Sequence, residues 1–226
     1  MPFNGAGKTT LLRLLGGQGH PTSGTVDVLG HRIGRVDLRE LRPHIGFVSP
    51  MQEVPHKATA HTIVLTGATG TVQPLWREYD AATRERAHEL LAELNCKDLA
   101  DRPYAVCSGG QRARILVARA LIADPALLLL DEPYNALDLP SREDLIDAMR
   151  ELACTRPELA TVTVTHYLEE LPDSTSHALL LRDGRVQACG TVNQVVTSAR
   201  LTACFGRQIE VARHADRWTA RSAPRR

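Results

Sequence analysis

The run Asn4-Gly5-Ala6-Gly7-Lys8-Thr9-Thr10 constrains this 226-residue chain more than any other stretch. Two glycines around one alanine permit tight curvature, which turns several backbone N–H groups toward one point. The spacing of Leu11, Leu12, Leu14 and Leu15 predicts a helix over Thr9–Leu15, ended by Gly16-Gly17. A helix directly behind the loop adds the positive end of its dipole to the same point. Such a loop suits nucleotide phosphates. Lys8 is placed to reach the β- and γ-phosphates, the Thr9 hydroxyl to bind Mg²⁺, and Thr10 to help hold the α- and β-phosphates. The bland alternative is a glycine turn that caps a helix by chance. One departure stands out: Pro2 occupies the position of the pattern's first glycine, and proline lacks an N–H and fixes φ.

The remaining segments alternate in type. Short strands are expected over Thr25–Leu29, Ile45–Val48 and Thr161–Thr165. Ala126–Leu130 is a continuous apolar run, the pattern of a buried parallel strand. Helices are expected over Ala81–Leu94, Gln111–Ile122 and Leu145–Leu152. His61–Leu65 starts an apolar helix or strand that the glycines and threonines of Thr66–Thr71 interrupt. Asp183-Gly184 reads as a hairpin turn between Ala178–Leu181 and Arg185–Ala188. Strands alternating with helices around a phosphate loop argue for an α/β core.

Three further signals carry chemistry. The strand ending Leu127-Leu128-Leu129-Leu130 delivers Asp131 to its carboxyl end, where α/β folds place ligands. Asp131 is a candidate Mg²⁺ holder, and the adjacent Glu132 can polarise or deprotonate an attacking water. Ser108-Gly109-Gly110-Gln111 precedes an apolar helix and is a second candidate anion-binding N-terminus; a simple Ser108 N-cap is the plainer reading of that motif alone. His166 follows a strand end and could contact a γ-phosphate, although an isolated histidine is more often a satisfied surface or core residue.

Composition sets limits. Hydrophobic residues make up 43% and charged residues 23%, and the formal net charge is +1, so no bulk field points to nucleic acid, and no nucleic-acid partner is expected. Cys96, Cys107, Cys154, Cys189 and Cys204 show no zinc or redox spacing, which fits a reduced, cytoplasmic protein. No apolar stretch approaches the roughly 18–20 residues of a membrane span, and no signal peptide is expected. Arg213 to Arg226 reads as a basic solvated tail, whereas Phe205-Gly206, Ile209, Val211 and Trp218 suggest one more short strand pair or a packed extension.

Taken in order, the motifs resemble the nucleotide-binding subunits of ATP-binding cassette (ABC) transporters. Asn4–Thr10 is similar to the Walker A loop, Cys107–Gln111 to the signature motif (with Cys107 where leucine is usual) and Leu127–Asp131 to the Walker B strand. Glu132 matches the catalytic glutamate, Asn135-Ala136-Leu137-Asp138 the D-loop and His166 the switch histidine. The resemblance covers roughly Gly5 to Gly190. It implies an α/β fold with a P-loop NTPase-type parallel sheet core and an inserted α-helical lobe. The expected layout is one domain, with core at 1–53 and 108–190, lobe at about 54–107 and a C-terminal extension at 191–226.

The resemblance also implies ATP and Mg²⁺ as ligands, and a head-to-tail homodimer or paired ABC subunit. There Ser108, Gly109, Gly110 and Gln111 of one chain would meet ATP held by Asn4, Gly5, Ala6, Gly7, Lys8, Thr9 and Thr10 of the other. A transmembrane permease subunit is the implied partner, with the chain peripheral on the inner face of the cell membrane. Where the family has its Q-loop glutamine this chain has Pro50. Either a local insertion lets Gln52 serve in catalysis and at the metal, or that role is altered. The family also carries strands ahead of its Walker A loop, so a further reading is an N-terminally truncated or misannotated chain: either the true start lies upstream of Met1, or, if only these residues are made, weak ATP binding and poor folding are expected. The competing reading is a soluble, non-transport ABC ATPase acting on a macromolecule.

Overall fold

The computed structural model describes residues 5–49, 51–55, 57–75 and 79–222. Pro2, Asn4 and Pro50 lie outside the described residues. The chain forms two compact units: Leu12–Val164, and Met1–Leu11 together with Thr165–Arg226. The helix α1 (Lys8–Leu15) contains the first of these boundaries.

The Leu12–Val164 unit is built on three parallel strands in the order β3 (Ile45–Val48), β4 (Leu127–Asp131), β5 (Ala160–Val164). Phe47 pairs with Leu129, and Leu129 with Val162. Every residue of β4 is buried, as expected of a central parallel strand covered on both faces. Side chains alternate across a strand. Leu128 and Leu130 accordingly join one cluster with Ile63, Leu65, Leu90, Leu91, Ile115 and Leu121, while Leu127 and Leu129 join a second with Leu12, Val28, Ile33, Leu41 and Ile45. Each such buried leucine contributes about 1.5–3 kcal/mol, so β4 is held firmly and its carboxyl end, with Asp131, is fixed in place.

Ahead of the sheet, β1 (Asp27–Val28) and β2 (His31–Arg32) form a short hairpin. The strand expected over Thr25–Leu29 shrinks to two residues because Leu29-Gly30, at φ 50° and 79°, is the turn itself. The helix α2 (Leu38–Leu41) follows, capped by Asp37, whose carboxylate accepts from the Arg39 N–H at 2.9 Å.

Four helices share one apolar cluster with Leu128 and Leu130 of the sheet: α3 (Ala60–Thr69), α4 (Ala81–Glu93), α5 (Gly109–Leu121) and α6 (Leu139–Thr155). The break expected at Thr66–Thr71 does not occur. Instead, α3 runs through Gly67 and ends at Gly70, which takes φ 63°. A β-carbon on Gly67 would lie 2.0 Å from the Arg119 carbonyl oxygen, so this glycine lets α3 and α5 cross at backbone contact. Arg119 is itself buried; its Nε donates to Thr66 Oγ1 at 2.8 Å, and Thr66 Oγ1 donates to the Ile63 carbonyl at 2.7 Å. The helix expected over Leu145–Leu152 starts earlier, at Leu139, because Asp138 caps it and Pro140 sits in its first turn, where a missing N–H does no harm.

In the other unit, β6 (His177–Arg182) and β7 (Arg185–Thr191) form an antiparallel hairpin over Asp183-Gly184. The short helices α7 (Val192–Val195) and α8 (Ser198–Phe205) follow. A second hairpin, β8 (Ile209–His214) with β9 (Arg217–Ser222), ends the described chain, so the solvated-tail reading gives way to paired strands through Ser222. Trp218, on β9, lies under the Arg213 guanidinium at 5.3 Å.

Candidate active site

The phosphate-loop residues are shaped by two glycines. Gly5 and Gly7 take φ of 120° and 93°, a region that side-chain-bearing residues rarely enter. The Gly7 carbonyl accepts the Leu11 N–H at 2.8 Å, and α1 begins at Lys8. The first-turn N–H groups of a helix have no partner within it, and α1 carries no acidic residue there to take up the positive end of its dipole. Gly7 has no side chain with which to cap them. Lys8 and Thr9 are half-buried, and Gly5 and Thr10 exposed. The Ala6 carbonyl accepts the Gly184 N–H at 3.1 Å, so the β6–β7 turn braces the loop. The Asp183-Gly184 turn is legible in the sequence, but its contact with Ala6 joins residues far apart along the chain and left no local signal.

Ser108–Gln111 is built differently. Ser108 is the N-cap of α5: its hydroxyl oxygen accepts the Gln111 N–H at 3.3 Å, and Gln111 Oε1 accepts the Ser108 N–H at 2.9 Å. This reciprocal capping box satisfies two of the helix's end groups from within the chain. A β-carbon on Gly110 would lie 2.5 Å from Ser141 Cβ, and one on Gly109 3.3 Å from Leu137 Cδ2. Both glycines therefore let α5 approach the start of α6. Cys107 is buried, and desolvation raises its thiol pKa above the ordinary value; it packs there as a small apolar residue.

At the carboxyl edge of the sheet, Asp131 ends β4 and is buried. Glu132 follows at φ 52°, unusual for a residue with a side chain, and its N–H donates to the Val164 carbonyl at 3.0 Å. Asn135 Nδ2 donates to Glu132 Oε2 at 3.4 Å. Backbone strain of this kind gathers at functional sites when the surroundings hold it. It is a feature that the sequence did not signal. Ala136 also has positive φ, at 60°, and Asp138 caps α6 by accepting the Ser141 N–H at 3.0 Å. Hydrogen bonds from the Ser141 hydroxyl and then its N–H lower the Asp138 pKa below its ordinary value.

Gln52 lies just past β3, the strand next to β4, so it and Asp131 share the carboxyl edge. Its N–H donates to the Ser49 carbonyl at 3.0 Å, while its Oε1 is buried with no hydrogen-bond partner. His166 belongs to the unit that also holds Gly5–Thr10, and is exposed. Thr165 Oγ1 accepts the Tyr167 N–H at 3.0 Å and fixes the turn that carries it.

A family profile for ABC transporters matches residues 3–135, which include the phosphate loop, Ser108–Gln111 and Asp131-Glu132. The chain belongs to the ABC transporter family. It is an ATP-binding subunit of that family and an ATPase. An uncharacterised ABC transporter ATP-binding protein of Bacillus subtilis (strain 168), YlmA, is 41% identical over 95% of this chain and 82% of its own. The sulfate/thiosulfate import ATP-binding protein CysA of Burkholderia mallei is 37% identical over 87% of this chain and 55% of its own.

Two solved structures agree in fold. One, an inward-facing transporter described as metal-chelate type, is 28% identical with a TM-score of 0.78, covering 99% of this chain and 83% of that one. The other is a dimeric ATP-binding cassette in a post-hydrolysis state with ADP and Pi. It is 26% identical with a TM-score of 0.70, covering 83% and 81%. The P-loop α/β fold of this ABC ATPase is thus the one its motifs imply.

Proposed function

We propose that this ABC ATPase drives a membrane transporter by closing as a dimer on ATP and reopening after hydrolysis. The observation that carries the reading is the phosphate loop: positive-φ glycines at Gly5 and Gly7 lead into a helix with no acid in its first turn. Gly5, Ala6, Gly7 and the α1 amides cradle the phosphates, with Lys8 on the β- and γ-oxygens and Thr10 beside the α- and β-phosphates. Asn4, outside the described residues, is assigned to the same loop by its place in the sequence. Glu132 accepts the proton of the attacking water, and His166 contacts the γ-phosphate.

Mg²⁺ fits the donors available. Thr9 and Asp131 offer hard oxygens, and the unpartnered Gln52 Oε1 is a buried acceptor at the Asp131 edge that a cation would satisfy. When bound, Mg²⁺ supplies neutralisation of the charge that develops on the β- and γ-phosphates.

The dimer reading draws on the dimeric ADP- and Pi-bound relative. It gives Ser108–Gln111 a use that a single chain lacks: the Ser108 hydroxyl proton and the backbone of Gly109 and Gly110 reach the γ-phosphate bound by the other copy. Among the described residues no helix is long and apolar enough to cross a membrane. As an ATP-binding subunit of the ABC transporter family, the chain would work with a permease partner and sit on the cytoplasmic face of the membrane, with residues 54–107 as the lobe that meets the permease. The relatives' names point to different cargoes, sulfate or thiosulfate in one and a metal chelate in another. Cargo is accordingly chosen outside this subunit.

Glu132→Gln tests the chemistry. Turnover is expected to fall by about 100-fold or more, with Mg-ATP binding kept. Unchanged turnover would sink the role of Glu132.

A further inference from the structure

The turn that carries His166 is held from outside itself. It continues into a 3-10 turn, Leu168–Glu170, in which the Leu171 N–H bonds the Leu168 carbonyl at 3.1 Å. On the near side, the Thr165 hydroxyl donates to the buried Glu170 carboxylate. On the far side, Glu169 is gripped twice by β9. Its Oε1 accepts the Ala220 N–H at 3.1 Å, and its carbonyl accepts from the Arg217 guanidinium.

The hairpin is anchored on its other strand as well. Ala220 pairs opposite Val211, and the Val211 N–H donates to Ser198 Oγ on α8 at 2.9 Å. Ile209 N–H donates to Thr202 Oγ1 at 3.0 Å. The β8–β9 hairpin therefore bridges α8, through β8, and the 3-10 turn, through β9. A strand edge normally shows its N–H groups to water; here one of them is bonded to a carboxylate three residues past His166.

We propose that the β8–β9 hairpin is a latch on the switch-histidine loop, with Glu169 and Arg217 as positioning residues for ATP hydrolysis. The inference rests on the reading of His166 as the γ-phosphate contact. A shift of about 1 Å in a group that meets the reacting phosphate is enough to cost up to about 100-fold in rate. With the latch closed, His166 is presented in one place. With Glu169 released, the loop samples several, and turnover falls while ATP remains held by the phosphate loop. The hairpin is thereby a point at which hydrolysis can be slowed without blocking nucleotide binding.

The test is steady-state ATP hydrolysis by the full chain and its variants, with melting temperatures measured alongside. Glu169→Ala and Arg217→Ala are expected to lower kcat about tenfold and to leave KM for ATP within about twofold. Glu169→Gln retains the acceptor for the Ala220 N–H and is expected to keep kcat near that of the parent. Arg213→Ala, which removes only the guanidinium over Trp218, should do the same. If Arg217→Ala does not fold, Glu169→Ala against Glu169→Gln decides alone.

Parent-like kcat in Glu169→Ala overturns the latch, as does an equal loss in Glu169→Gln and Glu169→Ala. His166→Ala separates the two levels. If it hydrolyses ATP like the parent, the reading of His166 fails and the latch fails with it. If it is inactive while Glu169→Ala is normal, only the latch fails.

Discussion

Two helix N-termini in this chain look alike on paper and differ in physics. α1 starts directly after the glycine-rich turn Gly5-Ala6-Gly7, and α5 starts with Gly109-Gly110 directly behind its cap Ser108. At α1 the glycines are needed for backbone conformation, since Gly5 and Gly7 have positive φ. Gly7, directly before the helix, has no side chain to offer its amides, and no acidic residue lies in the first turn, which favours an anion there. At α5 the glycines are needed for size. Gly110 lets Ser141 come within a distance that no β-carbon tolerates, and Ser108 with Gln111 caps the helix from within. The first end waits for a phosphate; the second is complete in the single chain and would meet phosphate only through a second copy.

Substitutions should separate the two ends. Lys8→Ala is expected to have the largest effect, weakening ATP binding by about 10- to 100-fold while the nucleotide-free melting temperature stays unchanged; titration calorimetry and a thermal melt check both. Gly110→Ala should do the reverse. It overpacks the α5–α6 contact and should destabilise the nucleotide-free protein by about 1–3 kcal/mol, seen as a lower melting temperature, with single-chain ATP affinity unaltered. A Gly110→Ala protein as stable as its parent would show that Ser141 can give way.

The smallest effect concerns the α6 cap beside that contact. The Ser141 hydroxyl, and then its N–H, hold the Asp138 pKa below its ordinary value of 3.8. Its contribution is therefore fully present above that ordinary value and is lost as pH falls through the lowered one. Asp138→Asn keeps a capping oxygen that does not titrate. The melting temperature of the parent should fall more steeply than that of Asp138→Asn as pH drops below 3.8. Parallel profiles would count against the assigned shift.

Much of the fold was legible because its signals are local. The unbroken leucines of β4, the helical spacing of Ala87, Leu90 and Leu91, and the Asp183-Gly184 turn all read directly. Misreadings came where a distant partner decided the outcome. Gly67 looked like a break because its reason, the Arg119 carbonyl on α5, is not nearby in sequence. Ile209, Val211 and Trp218 signal the strand pair that β8 and β9 form, but the basic residues around them read as a solvated tail because Glu169, which receives Arg217 and Ala220, is a long way back along the chain. The same holds at the site. Lys8, Asp131 and Glu132 announce themselves by type and spacing, whereas the positive φ of Glu132 and the Gly184 brace on Ala6 are products of tertiary contact.

The contrast between an open phosphate loop and a self-capped signature loop is tested most directly by sedimentation velocity on Glu132→Gln, with and without Mg-ATP, and on the same variant carrying Ser108→Glu. Mg-ATP is expected to convert Glu132→Gln from monomer to dimer, and Ser108→Glu to keep it monomeric with ATP still bound to each chain. A dimer that persists with Ser108→Glu, or ATP binding that disappears with it, would contradict the separation of roles between the two loops.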